Sequence, residues 1–192
     1  MAKRWHRNLY HLILGTLFPL GYHFAASKLW PVIFTGFLLI LVLIFEIERF
    51  TRPGFNNWVF EHIKGLVKAS ERKKPIGTTF FLISVLITIL VFPKFIGVAS
   101  LTFLALGDVS AAVVGEKWGR VKIFHKSLEG FLSFFIVSLL SGWLLSFYYS
   151  QLTFILVLFG ALTAAIVEIL PLPVDDNFTI PLVTSLIMWM IY

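Results

Sequence analysis

The stretch GFLSFFIVSLLSGWLLSFYYSQLTFILVLFGALTAAIV, from Gly130 to Val167, carries no charge. One apolar crossing of a bilayer needs about 20 residues, so this stretch is long enough to cross twice. Its Tyr148-Tyr149-Ser150-Gln151 segment supplies the polar break where a hairpin belongs. It therefore divides into spans Leu128–Tyr149 and Leu152–Leu170. Working outward, the same criterion gives Leu9–Ala26, Leu29–Ile47, Pro75–Phe92 and Phe95–Val114 before it. A shorter run, Phe178–Tyr192, follows it, with Trp189 and Tyr192 suited to a membrane interface. The expectation is an all-α integral membrane protein of about seven transmembrane helices.

Composition agrees. The chain has 192 residues, of which 58% are hydrophobic and 14% charged. A soluble domain carries about 25% charged residues. A water-facing surface cannot be covered with so few, which excludes an ordinary soluble enzyme, a disordered chain and a typical nucleic-acid-binding domain. The length suits a single membrane-embedded domain over residues 1–192. The chain has no Cys, which removes disulfides, thiolate metal sites and Cys nucleophiles.

Basic residues set the sidedness. With the N-terminus in the cytoplasm and seven spans, 16 Lys and Arg residues divide very unevenly. Lys3, Arg4, Arg7, Arg49, Arg52, Lys64, Lys68, Arg72, Lys73, Lys74, Lys117, Arg120, Lys122 and Lys126 lie inside, and only Lys28 and Lys94 lie outside. That is the bias expected of cytoplasmic loops. Ala25-Ala26-Ser27 would suit cleavage of a signal peptide, but losing the first span would upset this distribution. The cytoplasmic segment 48–74 turns at Pro53-Gly54. Phe55, Val59, Ile63, Leu66 and Val67 then recur at helical spacing, with Glu61, Lys64 and Lys68 between them. This predicts an amphipathic helix on the membrane surface.

Charges within membrane helices are costly, and they either pair or work. Asp108 lies inside the otherwise apolar fourth span, Glu168 closes the sixth, and Asp175-Asp176-Asn177 follows between Pro173 and Pro181. Glu46 ends the second span. The proposed topology brings all of them toward the cytoplasmic side, beside Lys117, Arg120, Lys122 and Lys126. Carboxylates gathered at one depth call for cations. Hard cations such as Mg²⁺ take carboxylate oxygens and bridge to phosphates, and Lys and Arg neutralise the phosphate charge that remains. Gly107, Gly115 and Gly119 permit close backbone approach. Glu116 and Lys117 between the last two argue for a loop over 115–127, with a second active-site loop over 171–177. A metal, carboxylates and a basic loop at a membrane surface suit a nucleoside triphosphate. A transporter would also use intramembrane carboxylates, but would set them along a path across the midplane. The five His residues show no zinc spacing.

Two blocks carry a resemblance. One is Gly107-Asp108-Val109-Ser110-Ala111-Ala112-Val113-Val114-Gly115-Glu116-Lys117-Trp118-Gly119-Arg120-Val121-Lys122, continued by Lys126-Ser127-Leu128-Glu129-Gly130. The other is Glu168 followed by Pro171-Leu172-Pro173-Val174-Asp175-Asp176-Asn177-Phe178-Thr179-Ile180-Pro181-Leu182. Together with Lys74-Pro75-Ile76-Gly77-Thr78-Thr79 and a weaker Arg7–Gly15 match, they resemble the CTP-dependent lipid kinases: the dolichol/polyprenol, phytol and diacylglycerol kinases. The central block is also similar to that of phosphatidate cytidylyltransferases, whose C-terminal signature differs.

The resemblance implies γ-phosphoryl transfer from CTP to a lipid hydroxyl, with Mg²⁺, in a membrane such as a bacterial or archaeal plasma membrane. It implies metal binding by Asp108 with Asp175 or Asp176, and phosphate binding by Lys117, Arg120, Lys122 and Lys126. Asn177 and Glu129 would orient these ligands. Gly115, Gly119, Ser127 and Lys74 fall within the same nucleotide-binding motifs. Glu168 or one of the Asp residues would accept the hydroxyl proton. The alternatives are CDP-diacylglycerol formation by a phosphatidate cytidylyltransferase and a non-enzymatic transporter or scaffold. The partners implied are CTP, a lipid and the bilayer, with no nucleic acid. A homo-oligomer is compatible with the sequence.

Overall fold

A computed structural model describes residues 2–63, 67 and 69–192, with side chains described from Asn8 onward. Lys64, Leu66 and Lys68, and the side chains of Lys3, Arg4 and Arg7, lie outside that description. The helices are α1 (Ala2–Phe24), α2 (Leu29–Thr51), α3 (Pro53–His62), α4 (Gly77–Val91), α5 (Lys94–Thr102), α6 (Asp108–Trp118), α7 (Leu128–Ser146), α8 (Phe154–Ile169) and α9 (Asp176–Ile191). A 3₁₀ turn covers Ala69–Lys73, and a π-helical turn over Phe103–Gly107 joins α5 to α6.

Each of the seven apolar runs is helical. Among the described residues, three helices are long and apolar enough to cross a membrane: α2, α7, and the continuous helix Lys94–Trp118 formed by α5, the π turn and α6. Helices α4, α8 and α9 are apolar but shorter, at 15 or 16 residues. At 1.5 Å per residue they rise about 24 Å, against a hydrocarbon core of about 30 Å. Proline limits two of them. Helix α4 stops before Pro93 and α8 before Pro171, because the residue preceding a proline is pushed out of the helical region. Trp30, Phe37, Leu41 and Ile44 of α2 remain largely exposed, a surface suited to lipid and not to water.

The α5–α6 helix is the centre of the bundle. It packs against α1, α7 and α9, while α2 lies on α4 at the periphery. Without a hydrophobic drive between helices in lipid, close packing at small residues holds them together. Phe103 of the π turn is fully buried between two such positions. A Cβ at Gly142 of α7 would lie 2.5 Å from Val157 and 2.9 Å from the Phe103 ring. One at Gly160 of α8 would lie 2.7 Å from Met188 and 3.1 Å from the same ring. We expect Gly142→Val to lower stability by about 1–3 kcal/mol, the range for overpacking, read as a lower thermal midpoint in detergent.

Two expectations need correction. Residues 115–118 form the last turn of α6, not a loop. The break comes at Gly119, and Gly115 packs the helix onto the start of α7: a Cβ there would sit 3.0 Å from Ser127 Oγ and 3.7 Å from Gly130 Cα. Beyond Gly119 the chain makes a small β-hairpin, with strand β1 (Lys122–Ile123) antiparallel to β2 (Lys126–Ser127). The surface helix is also shorter than its pattern suggested. It ends at His62, with Val59 buried, and Ile63 and Val67 lie beyond it.

Lys28 Nζ donates to the Phe92 carbonyl and Lys94 Nζ to that of Ala25, tying together one end of the bundle. The other described basic residues gather toward the opposite end, on α2, the 3₁₀ turn, α6 and the hairpin.

Candidate active site

Asp108 opens α6 immediately after the π turn. A π turn inside a helix rotates the side chains that follow it and is frequent at functional sites. The turn fits only because residue 107 is Gly, since a Cβ there would be 2.7 Å from the Phe134 ring. Asp108 borders two hollows. On one side is a cavity of about 310 Å³, also lined by Lys122, His125, Lys126, Glu168 and Asp176. On the other is a narrow, mostly apolar slot of about 30 Å³, lined by Tyr10, His11, Leu14, Thr78 and Phe81 with Asn177 at its edge.

Lys126 organises the polar cavity. It reaches from the hairpin to the Asp176 carboxylate at 2.8 Å and the Glu168 carboxylate at 3.0 Å. It also donates to the Glu168 backbone carbonyl, so a cation caps the C-terminal end of α8. Burial disfavours its ammonium, but the Asp176 and Glu168 charges more than compensate and hold its pKa above the ordinary lysine value. Asp176 lies in the first turn of α9, where the helix dipole favours a carboxylate.

The remaining residues named from the sequence separate into groups. Gly115, Lys122 and Ser127 line the cavity, while Lys117 and Arg120 do not. The Lys117 ammonium lies 4.6 Å from the Trp118 ring centre. The Arg120 backbone N–H donates to Glu129 Oε1 at 3.0 Å, as does that of Val121 at 3.2 Å. Glu129 thus fixes the approach to the hairpin. Ser127 Oγ accepts from the Gly130 N–H and caps α7. Gly119 is pressed against this cap, because a Cβ there would lie 2.2 Å from the Gly115 carbonyl oxygen and 2.7 Å from Ser127 Oγ.

Asp175 is the N-cap of α9. Its Oδ1 accepts from the Asn177 backbone at 3.0 Å and the Asn177 side-chain amide at 2.7 Å. With Lys74 it lines a different hollow, which Asp176 also borders. The carboxylates lining the 310 Å³ cavity are therefore Asp108, Glu116, Glu168 and Asp176.

Sequence reading missed a support beneath the site. Arg49 is fully buried. It pairs with Glu46 and donates to the carbonyls of Glu71, at 2.9 Å, and Lys74, at 2.7 Å. Glu46 Oε1 accepts from the Ile76 N–H at 2.6 Å, and Glu71 Oε1 from the Gly77 N–H at 2.9 Å. This network pins the segment before α4 against the end of α2. It sets Gly77 beside Asn177, where a Cβ would be 2.9 Å from the amide nitrogen. The signal was Glu46 and Arg49, one helical turn apart at the end of an apolar span.

Among the described residues, no three His, Cys, Asp or Glu side chains group as a metal site by themselves. Yet Glu168 Oε2 is buried without a hydrogen-bond partner, on a residue that shares its cavity with Asp108 and Asp176. Hard carboxylate oxygens beside room for a polyphosphate fit Mg²⁺, which keeps few protein ligands and completes its shell with phosphate oxygens and water.

No protein-family model matches the chain, and no solved structure matches it. Curated proteins do. CTP-dependent diacylglycerol kinase 1 of Schizosaccharomyces pombe is 38% identical over 119 residues, covering 60% of this chain and 53% of that protein. CTP-dependent diacylglycerol kinase 1 of Saccharomyces cerevisiae is 27% identical over 210 residues, covering 95% and 71%. A probable chloroplastic phytol kinase of Zea mays is 26% identical over 213 residues, covering 100% and 68%. The chain therefore spans between about half and seven-tenths of these relatives' lengths. Along most of its sequence the chain is thus similar to proteins named as CTP-dependent diacylglycerol kinases and as probable phytol kinases.

Proposed function

We propose that this chain is a CTP-dependent lipid kinase acting as one domain at the cytoplasmic face of a prokaryotic plasma membrane. Its acceptor is a lipid alcohol of the diacylglycerol, phytol or polyprenol/dolichol type. The observation that carries this reading is the position of Asp108, which borders a polar cavity on one side and an apolar slot on the other. A triphosphate belongs in the cavity, with Lys122 and Lys126 as its cations. A lipid hydroxyl belongs in the slot, and the two reactants meet at the Asp108 carboxylate.

The hydroxyl oxygen attacks the γ-phosphorus, the bond from that phosphorus to the β,γ-bridging oxygen breaks, and CDP leaves. Asp108 accepts the hydroxyl proton. Asp176 and Glu168 would hold Mg²⁺, which would supply charge neutralisation. The protein's own share is positioning and fixed positive charge, as in phosphoryl transfer generally. Asp175 and Asn177 fix the start of α9 and so the direction of Asp176. Glu129 and Ser127 hold the hairpin that presents Lys122 and Lys126.

The test is to follow label from CTP into lipid with the purified protein in mixed micelles containing Mg²⁺. Label from the γ-phosphate is expected in diacylglycerol, phytol or a polyprenol, and none from the α-phosphate. Label from the α-phosphate in phosphatidate-derived lipid would replace this reading with cytidylyl transfer. No transfer of either label, with ATP also inert, would end the enzyme reading.

A further inference from the structure

A further hollow, of about 410 Å³, lies on the opposite half of α1, away from the phosphate cavity. Phe18 and Gly21 of α1, Trp30 and Phe34 of α2 and Ile89 of α4 line it, and its walls are almost wholly apolar. Beyond the turn that joins them, α1 and α2 make little contact, because α2 packs on α4 and α1 on α5. The cleft is the space this arrangement leaves.

The cleft adjoins the slot beside Asp108. Phe81, which lines the slot, meets Phe18, which lines the cleft, edge to face with ring centres 5.2 Å apart. Both hollows follow the same face of α1. From His11 beside Asp108 to Tyr22 in the cleft, the helix rises about 16 Å at 1.5 Å per residue. That is roughly half the thickness of the hydrocarbon core.

We propose that this cleft holds the apolar chain of the lipid acceptor, with the hydroxyl delivered through the slot to Asp108. The proposal rests on the kinase reading and adds to it a site, a direction and a basis for selectivity. A chain in a bilayer is already in an apolar solvent, so entering the cleft gains little from the hydrophobic effect. What the cleft adds is shape, since contacts between well-fitted atoms are individually small and collectively large. Such a site sorts acceptors by chain length and thickness more than it adds affinity. It also holds the chain along α1, which keeps the hydroxyl from withdrawing out of the slot.

Gly21 offers the test. A Cβ at this position meets nothing within 4 Å, so a larger side chain extends into open space without displacing protein. The variants Gly21→Leu and Gly36→Leu would be compared with wild type in phosphatidylcholine nanodiscs. Gly36 is equally free of neighbours and lies outside the cleft. The acceptors are dioleoylglycerol against dioctanoylglycerol, and phytol against geraniol, each with γ-labelled CTP. We expect Gly21→Leu to cut the long-to-short ratio of kcat/KM at least tenfold, with the Gly36→Leu ratio where wild type has it. A ratio unmoved in Gly21→Leu overturns the proposal.

A second measurement needs no turnover. A diacylglycerol and a phytol analogue, each with a diazirine at the chain terminus, would be photolysed in nanodiscs with the wild-type protein and the adducts mapped by mass spectrometry. Adducts are expected within residues 17–35. Adducts confined to α7 or α8 overturn the cleft. Should wild type phosphorylate no acceptor, the kinase reading falls, and the position of the adducts still decides the cleft.

Discussion

Replacing Asp108 with Asn is expected to lower kcat by about 10²–10⁴, the usual contribution of a positioned general base. The amide is nearly isosteric with the carboxylate, so the π turn and α6 keep their geometry and the protein still inserts. Asp108 is the carboxylate that borders both the cavity and the slot. CTP affinity, measured by binding to the purified variant, should change by less than the rate. A second measurement separates two roles for this residue. If Asp108 holds Mg²⁺, raising the metal concentration restores much of the lost activity. If it accepts the proton, metal does not rescue, and the loss persists at every Mg²⁺ concentration. We expect the second result. Near-normal turnover in the variant would remove Asp108 from the chemistry altogether.

How far the sequence revealed this site depends on the kind of contact. The helices were legible because apolar runs of nearly membrane length between charged or proline-rich breaks leave little choice of structure. Asp108 was legible because a carboxylate inside such a run demands a reason. The division of labour among its neighbours was less so. Asp175 and Asp176 are adjacent and chemically alike, yet one caps α9 and the other pairs with Lys126. That difference arises from the way the chain enters the helix, which no spacing rule specifies. Lys117 and Lys126 sit in the same basic cluster, but the end of α6 and the hairpin turn them to different surroundings. The Gly115 region was misread because Glu116 and Lys117 look like loop residues. In the fold they occupy the last helical turn, at the end of the bundle where charge is tolerated. Of the Arg49 network only the Glu46–Arg49 pair was legible, because its other acceptors include backbone carbonyls of Glu71 and Lys74, which carry no side-chain signature.

The second large effect is expected at Lys126. Its ammonium meets the carboxylates of Glu168 and Asp176 and also the C-terminal end of α8, so one side chain joins the hairpin, α8 and α9. Lys126→Met removes the cation and leaves the buried Glu168 carboxylate facing Asp176 without a counter-charge. Breaking a buried pair from one side costs about 3–5 kcal/mol. The partial exposure of Lys126 and Asp176 places this case toward the lower end, since solvent screens part of the loss. The thermal midpoint should fall, and turnover should fall at least a hundredfold because a phosphate-binding cation is also gone. The two losses can be separated. Adding Glu168→Gln to Lys126→Met removes the stranded charge, so the double variant should recover most of the thermal midpoint. It should not recover turnover, because no cation for the triphosphate is restored and a carboxylate assigned to Mg²⁺ is also lost; Glu168→Gln alone gives the baseline against which the Lys126 loss is read. Recovery of both would make Lys126 a structural clamp with no part in binding CTP, and would leave Lys122 as the cation in this cavity for the phosphates.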